Sequence, residues 1–270
     1  MLTRAIVRLP AANYADGLTS VPLGVPEYER ALHQHAAYCE ALEACGLKLT
    51  RLEADEEYPD STFVEDTAVM IEYRSGGPAP VSEPFAAIAI LTRPGAASRA
   101  GEVERIMAGL SRFSPTFHHL EPPATLDGGD VCEAGNHFFI GISERTNEAG
   151  AQQLAGLLLY YGYTSSFIDI RGVKNILHLK SGLASLGDNR LVVIEALANR
   201  EEFRDYELVP VSSDEEYAAN CVRVNDSVLM AAGYPAFERT LQDLGYETIA
   251  LEMTEFQKMD GGLSCLSLRF

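Results

Sequence analysis

The chain repeats one pattern of helix, strand and polar corner, and this repetition limits the possible folds more than any other feature. In each copy an amphipathic helical stretch is followed by a short alternating stretch that is typical of a strand. Four copies are plain and one is weaker; their helical stretches are residues 26–46, 98–113, 144–162, 235–245 and, more weakly, 200–206. A unit of this size cannot bury its apolar face alone, so we expect the copies to pack against one another.

A polar or glycine-rich segment follows each of these strands, and we call these segments the corners. They occupy residues 60–72, 124–141, 175–194, 218–233 and 259–270, and each runs into one or two apolar strands. Turn sequences such as Gly-Asp-Asn at 187–189 favour antiparallel pairing within a corner, with a wholly parallel α/β sheet as the alternative. We predict an α/β protein of five pseudo-repeated strand–helix–strand units around one axis, with all five corners at one end.

No part of the chain reads as a domain boundary, so we predict a single domain over residues 1–270. The Ser-, Gly- and Pro-rich stretch at residues 74–84 is expected to be a surface loop between two strands.

Composition excludes several classes of function. The formal net charge of -18 argues against binding nucleic acid and mildly favours a cationic small substrate. No apolar run approaches the roughly 20 residues of a membrane span, and the first residues lack the apolar region of a signal peptide, so the cytoplasm is the expected location. The five cysteines form no Cys-x-x-Cys pair, which makes structural zinc or a redox dithiol unexpected.

Three corner residues could carry nucleophilic catalysis. Cys265 follows Gly261 and Gly262 at the mouth of a strand, where a thiol could be presented, although a buried strand cysteine fits the pattern equally well. His178 could be a general acid and base, or a core histidine between two leucines. Asp127 could orient that histidine, or simply form the turn that Asp-Gly pairs favour.

The motifs "FVED", "LTRPGAASR", "TLDGGDV", "LHLKSGL" and "DGGLSC" occur in this order along the chain. In this order and at these separations they resemble the dimethylarginine dimethylaminohydrolase family of the guanidine-modifying superfamily, from residue 17 to the last residue. The resemblance implies a five-bladed α/β propeller (pentein fold). It also implies hydrolysis of N-omega-methylated arginines to citrulline and dimethylamine or methylamine, through a covalent cysteine intermediate and with no metal or other cofactor.

The resemblance assigns a role to each matching position. Cys265 would be the nucleophile, His178 the general acid and Asp127 the carboxylate that orients it. Asp60 and Asp66 would bind the guanidinium nitrogens with Glu65 as a supporting acid, and Arg99 and Arg145 would clamp the substrate carboxylate. Leu18 would be a lid residue, while Met259 and Asp260 would offer backbone contacts to the substrate.

Two other functions stay open on the sequence. An arginine or agmatine deiminase would use the same cysteine, histidine and carboxylate, although agmatine would leave Arg99 and Arg145 without a carboxylate to bind. A non-catalytic arginine-binding protein would not need Cys265. The expected partner is a small methylated arginine, with a homodimer as a further possibility because bacterial relatives often dimerise.

Overall fold

The computed structural model describes residues 1–72, 87–114 and 116–270. Its strands within these ranges are β1 Arg4–Arg8, β2 Lys48–Leu52, β3 Ala68–Glu72, β4 Ala87–Leu91, β5 Thr116–His119, β6 Val131–Ala134, β7 His137–Ile142, β8 Thr164–Asp169, β9 Leu183–Gly187, β10 Arg190–Ile194, β11 Glu207–Val211, β12 Val222–Val224, β13 Ser227–Ala231, β14 Glu247–Leu251 and β15 Leu268–Arg269. The α-helices are α1 Tyr28–Ala44, α2 Glu102–Leu110, α3 Glu148–Tyr160, α4 Pro235–Asp243 and α5 Thr254–Gln257.

The strands form five three-stranded sheets, one for each predicted repeat. In every sheet the first strand within a corner pairs antiparallel with a middle strand, and the middle strand pairs parallel with an outer strand after a crossover. In the third sheet, for example, Val131 of β6 lies opposite Ile140 of β7, and Ile140 lies opposite Phe167 of β8. The predicted five-fold repeat is confirmed, and the wholly parallel alternative is wrong.

The first sheet is built from both ends of the chain. β15 pairs antiparallel with β1, and β1 pairs parallel with β2. The last corner therefore supplies the innermost strand of the first sheet, which brings residues 259–267 beside residues 60–67.

The crossovers explain why one repeat is weaker in the sequence. Helices α1, α2, α3 and α4 each connect a middle strand to an outer strand, whereas the crossover from β10 to β11 contains only the short 3₁₀ turns Glu195–Leu197 and Glu201–Phe203. The middle strands are covered on both faces and are accordingly apolar, because a strand buried on both sides has no polar face. Their central residues Ile6, Ile90, Phe139, Val192 and Leu229 are fully buried.

The innermost strands β3, β6, β9, β12 and β15 surround the axis of the molecule. Residues from all five line a cavity of about 220 Å³, which we call the central cavity. The segment predicted as a surface loop, residues 74–84, lies outside the described residues. Among the α-helices described, none is both long and apolar enough to cross a bilayer.

Candidate active site

A second, smaller cavity of about 30 Å³ lies where the corners converge, and we call it the site cavity. Four corners and the loops after β1, β4 and β7 contribute to its wall. Ten of the eleven residues predicted from the sequence line it, and Glu65 is the exception. Its lining residues are Leu18, Asp60, Phe63, Asp66, Arg99, Asp127, Arg145, Leu177, His178, Met259, Asp260, Gly261 and Cys265.

Cys265 is held by a turn that needs glycine. Its backbone N–H donates to the carbonyl of Gly262 at 3.2 Å, within the 3₁₀ turn Ser264–Leu266. A Cβ on Gly262 would lie 2.6 Å from the Asn220 side chain, so only glycine allows the corner to approach this closely. Burial, followed by the charges of Glu65 and Asp66, raises the pKa of the thiol to about 12. Cys265 is therefore a thiol at neutral pH in this structure, and a bound cation would favour the thiolate.

His178 and Asp127 form a buried pair. The imidazole Nε2–H donates to Asp127 Oδ2 at 3.0 Å, and Asp127 Oδ1 accepts from the backbone N–H of Gly95 at 2.8 Å. Burial disfavours the charged ring, but the charges of Asp66 and Asp130 and the contact with Asp127 outweigh it and raise the pKa of His178 to about 9. The ring is thus protonated at neutral pH and can serve as an acid.

Asp66 lies next to the His178–Asp127 pair. Its Oδ1 accepts from the backbone N–H of Gly129 at 2.8 Å, and its Oδ2 pairs with the Arg99 guanidinium. Burial opposes ionisation of Asp66, but His178 and Arg99 outweigh it and lower its pKa to about 2. A Cβ on Gly129 would lie 2.7 Å from His178 Nδ1 and 2.9 Å from Asp66 Oδ1. Glycine at this position therefore lets the carboxylate and the imidazole approach each other.

The two predicted arginines differ in their partners. Arg99 is 5% exposed, and its guanidinium donates to Asp66, to Glu102 and to the carbonyls of Phe63 and Asp60, which leaves one N–H of Nη1 unassigned. Arg145 lines the same cavity, and its guanidinium has no hydrogen-bond or ion-pair partner among the residues described here. Arg145 is accordingly the cation better suited to a ligand carboxylate.

A short segment, residues 17–20, is hydrogen-bonded to residues that line the site cavity, and we call it the lid after the role that the sequence predicts for Leu18. The Leu18 N–H donates to Asp60 Oδ1 at 3.0 Å, and the Thr19 hydroxyl donates to the carbonyl of Lys258 at 2.8 Å. Ser20 donates its N–H and its hydroxyl to the Asp260 carboxylate, at 2.5 and 3.2 Å. The site cavity is small beside a ligand as large as an amino acid, so we expect the lid to move when such a ligand binds.

Glu65 faces away from the site cavity, although it neighbours Asp66. Its carboxylate contacts Lys180 Nζ at 2.6 Å, the Ser264 hydroxyl at 2.7 Å and Arg269 Nη2 at 3.2 Å, and it lines the central cavity. Its predicted part in substrate binding stays a prediction; its contacts favour a role in supporting the turn that carries Cys265.

Some lining and supporting residues escaped the sequence analysis. Phe63, Leu177 and Gly261 complete the wall of the site cavity. Glu102 is only 2% exposed and grips Arg99 from the start of α2. Its position three residues after Arg99 was the available signal, because residues at i and i+3 meet on a helical turn.

The donor atoms of Asp66, Asp127 and His178 lie within 4.8 Å of one another. Such a set could in principle hold a metal ion. We assign none to it, because each carboxylate already accepts a hydrogen bond from a backbone N–H and His178 is hydrogen-bonded to Asp127.

The search against family models found no match. Curated proteins are nevertheless similar over the whole chain. N(G),N(G)-dimethylarginine dimethylaminohydrolase of Pseudomonas aeruginosa is 41% identical over 271 residues, which cover 100% of both chains. The enzyme of the same name from Streptomyces coelicolor is 34% identical and covers 98% of this chain and 96% of its own.

Solved structures are also similar to this chain over its whole length. The Pseudomonas aeruginosa enzyme in complex with citrulline has a TM-score of 0.90 at 41% identity, with 100% of both chains covered. The N-terminal domain of ArgZ, an arginine dihydrolase from cyanobacteria, has a TM-score of 0.83 at 19% identity over 98% of this chain and 96% of its own, which shows a shared fold alone. The predicted five-bladed α/β propeller is confirmed by these similarities together with the five sheets.

Proposed function

The chain belongs to the dimethylarginine dimethylaminohydrolase family, and we propose that it hydrolyses asymmetric dimethylarginine and monomethylarginine to citrulline and dimethylamine or methylamine. One observation carries the proposal: a single cavity joins the Cys265 thiol, the His178–Asp127 pair and the buried carboxylate of Asp66. A carboxylate binds the cation, a thiol attacks it and a protonated imidazole releases the amine.

Binding uses opposite charges at the two ends of the substrate. Asp66 and Cys265 both line the site cavity, so Asp66 suits the guanidinium beside the sulfur. Arg145 suits the α-carboxylate, with the remaining N–H of Arg99 beside it. The charge of Arg145 acts on Asp60, and Asp60 accepts a hydrogen bond from the lid. Asp60 therefore suits the α-ammonium group as well as the guanidinium that the resemblance gives it.

The first half of the reaction makes a covalent intermediate. The bound guanidinium lies beside Cys265 and stabilises the thiolate, whose proton leaves to solvent. Sγ attacks the guanidinium carbon to form a C–S bond, and His178 donates its Nδ1 proton to the departing dimethylamine as the C–N bond breaks, because its Nε2–H is bonded to Asp127. An unprotonated amide anion could not leave, which is why the raised pKa of His178 matters.

The second half returns the enzyme to its starting state. His178, now neutral, takes a proton from water, and the hydroxide attacks the same carbon. The C–S bond breaks with its electron pair on sulfur, the hydroxyl proton of the intermediate is lost to solvent as citrulline forms, and the thiolate takes a proton back when citrulline leaves. Asp127 keeps the ring oriented and stabilises its charged form in both halves.

The two alternatives predict different substrates. Agmatine lacks the α-carboxylate that Arg145 is suited to bind, so an agmatine deiminase leaves that cation unused. A non-catalytic arginine-binding protein has no use for a thiol in the wall of the cavity. A homodimer and a cytoplasmic location remain predictions from the sequence.

The test measures the ureido product formed from asymmetric dimethylarginine, monomethylarginine, arginine and agmatine. We expect citrulline from the methylated substrates, with turnover abolished in Cys265→Ser and retained in Cys45→Ser, a half-buried cysteine outside the site. Faster turnover of arginine or agmatine would move the chain to the deiminase alternative. Tight binding without turnover, equal in wild type and Cys265→Ser, would favour the non-catalytic one.

A further inference from the structure

We propose that Glu102, on helix α2 outside the site cavity, is a positioning residue that acts through Arg99 to keep Asp66 aimed at the substrate guanidinium and negatively charged toward it. The inference deepens the proposed function and rests on it for its substrate. Glu102 touches no part of the cavity and belongs to none of the corners.

The contacts run in one line from the helix to the cavity. Glu102 holds the guanidinium with two oxygens: Arg99 Nε donates to Oε1 at 2.9 Å and Nη2 donates to Oε2 at 2.7 Å. Arg99 then presents Nη1 to Asp66 Oδ2. A bidentate contact fixes the plane of a guanidinium, so Glu102 sets the direction in which Nη1 of Arg99 donates.

Charge gives a second reason for Glu102. Asp66 and Glu102 are negative and Arg99 is positive, so the trio keeps one net negative charge. Without Glu102, the positive charge of Arg99 would balance the negative charge of Asp66. The remaining pair would have no net charge with which to attract a cation. All three side chains are at least 94% buried, where such a charge is poorly screened.

Stability alone is a weak explanation for this arrangement. Buried ion pairs are often no more stable than apolar residues of the same volume, because removing charges from water offsets their attraction. Burial indeed raises the pKa of Glu102 in spite of Arg99. An ionised triplet at the wall of a cation site is better explained by the orientation and charge it gives to Asp66.

The test compares the hydrolysis of asymmetric dimethylarginine by Glu102→Gln with that by Glu104→Gln, a control on the same helix whose side chain is exposed. We expect Glu102→Gln to raise KM about tenfold with kcat within about threefold, because it weakens substrate binding and leaves the reacting groups in place. The control should match wild type. If Glu102→Gln does not fold, Glu102→Asp keeps the charge but shortens the contact, and we expect KM to rise about threefold.

A double-mutant cycle tests the route. In an Asp66→Asn background, adding Glu102→Gln should change KM less than about twofold, because the group through which it acts has lost its charge. A further tenfold rise in that background would overturn the relay, as would an unchanged KM in both Glu102 variants.

A measurement without turnover separates this inference from the proposed function. We expect the imidazole pKa of His178, followed by NMR and assigned with His178→Asn, to fall in Glu102→Gln but not in Glu104→Gln, because the negative charge of Asp66 raises it. The fall should vanish in the Asp66→Asn background. If wild type releases no citrulline, the proposed function fails and the NMR result still decides the relay. If wild type is active and His178 titrates identically in all variants, the inference alone is overturned.

Discussion

Glu65 and Asp66 are neighbours in one 3₁₀ turn, yet they serve opposite faces of the corner on which they lie. Asp66 faces the site cavity, and Glu65 faces the central cavity on the axis of the propeller. Both carboxylates are buried and both are paired with cations. The difference between them is therefore one of charge balance rather than of burial.

The net charge around Asp66 and the net charge around Glu65 have opposite signs. Among the described residues Asp66 forms an ion pair with Arg99, which it shares with Glu102, so these three side chains keep one net negative charge. Glu65 meets two cations, Lys180 and Arg269, and one hydroxyl, so this side keeps a positive charge. A cationic substrate is attracted only to the first arrangement. The second ties three corners together behind the nucleophile and offers nothing to a cation.

Among the substitutions that test this difference between Asp66 and Glu65, we expect Asp66→Ala to have the largest effect on activity. We expect KM for asymmetric dimethylarginine to rise about a hundredfold, since the variant removes the charge-assisted contact to the guanidinium and leaves Arg99 facing the cavity. Steady-state kinetics of both parameters is the measurement.

Asp127→Ala is the contrast for this prediction. It should lower kcat more than it raises KM, because Asp127 acts on the general acid. Equal losses of both parameters in both variants would contradict separate roles for the two carboxylates.

A smaller effect should appear in the pH dependence. The pKa of His178 is raised to about 9, so kcat/KM should fall about tenfold per pH unit above that value as the general acid loses its proton. Because Asp66 contributes to this rise, the fall should begin at lower pH in Asp66→Ala and should not move in Glu65→Gln. If the fall of kcat/KM still begins near pH 9 in Asp66→Ala, Asp66 does not contribute to the raised pKa of His178.

The same proton links pH to stability. A folded-state pKa above the ordinary value of 6.5 means that the folded protein binds the proton more tightly than the unfolded chain. The stabilisation is fully present below about pH 6.5 and is lost as the pH rises through about 9. Thermal unfolding of wild type and His178→Asn across this window measures it.

The fold and the position of the site were predictable from the sequence, for a reason that the repeats make clear. Helix, strand and corner are local patterns, and five similar units that must share an axis place their corners at one end. The convergence of Asp127, His178 and Cys265 follows from that geometry. The short crossover before β11 was likewise visible as a weak helical stretch at residues 200–206.

The direction of each side chain was not predictable in the same way. In "FVED" two acids stand side by side in a turn with neither helical nor strand period, so no pattern says which one faces the substrate. Asp66 is turned by the N–H of Gly129, and Glu65 by Lys180, both from distant corners. The two arginines show the same limit: the sequence gives no sign of which one is paired, and the contacts of Arg99 with Asp66 and Glu102 distinguish it from Arg145.

The smallest effect on turnover is expected from Glu65→Gln, and it completes the comparison. KM and kcat should stay within about threefold of wild type, because Glu65 lines the central cavity rather than the site cavity. The free energy of unfolding should fall by about 3 kcal/mol, since Lys180 and Arg269 lose a buried carboxylate. Glu56→Gln, at an exposed position, is the matched control for chemical denaturation and should change little. A hundredfold rise in KM with unchanged stability would instead make Glu65 a substrate ligand, as the family resemblance implies, and would remove the distinction between the two neighbours.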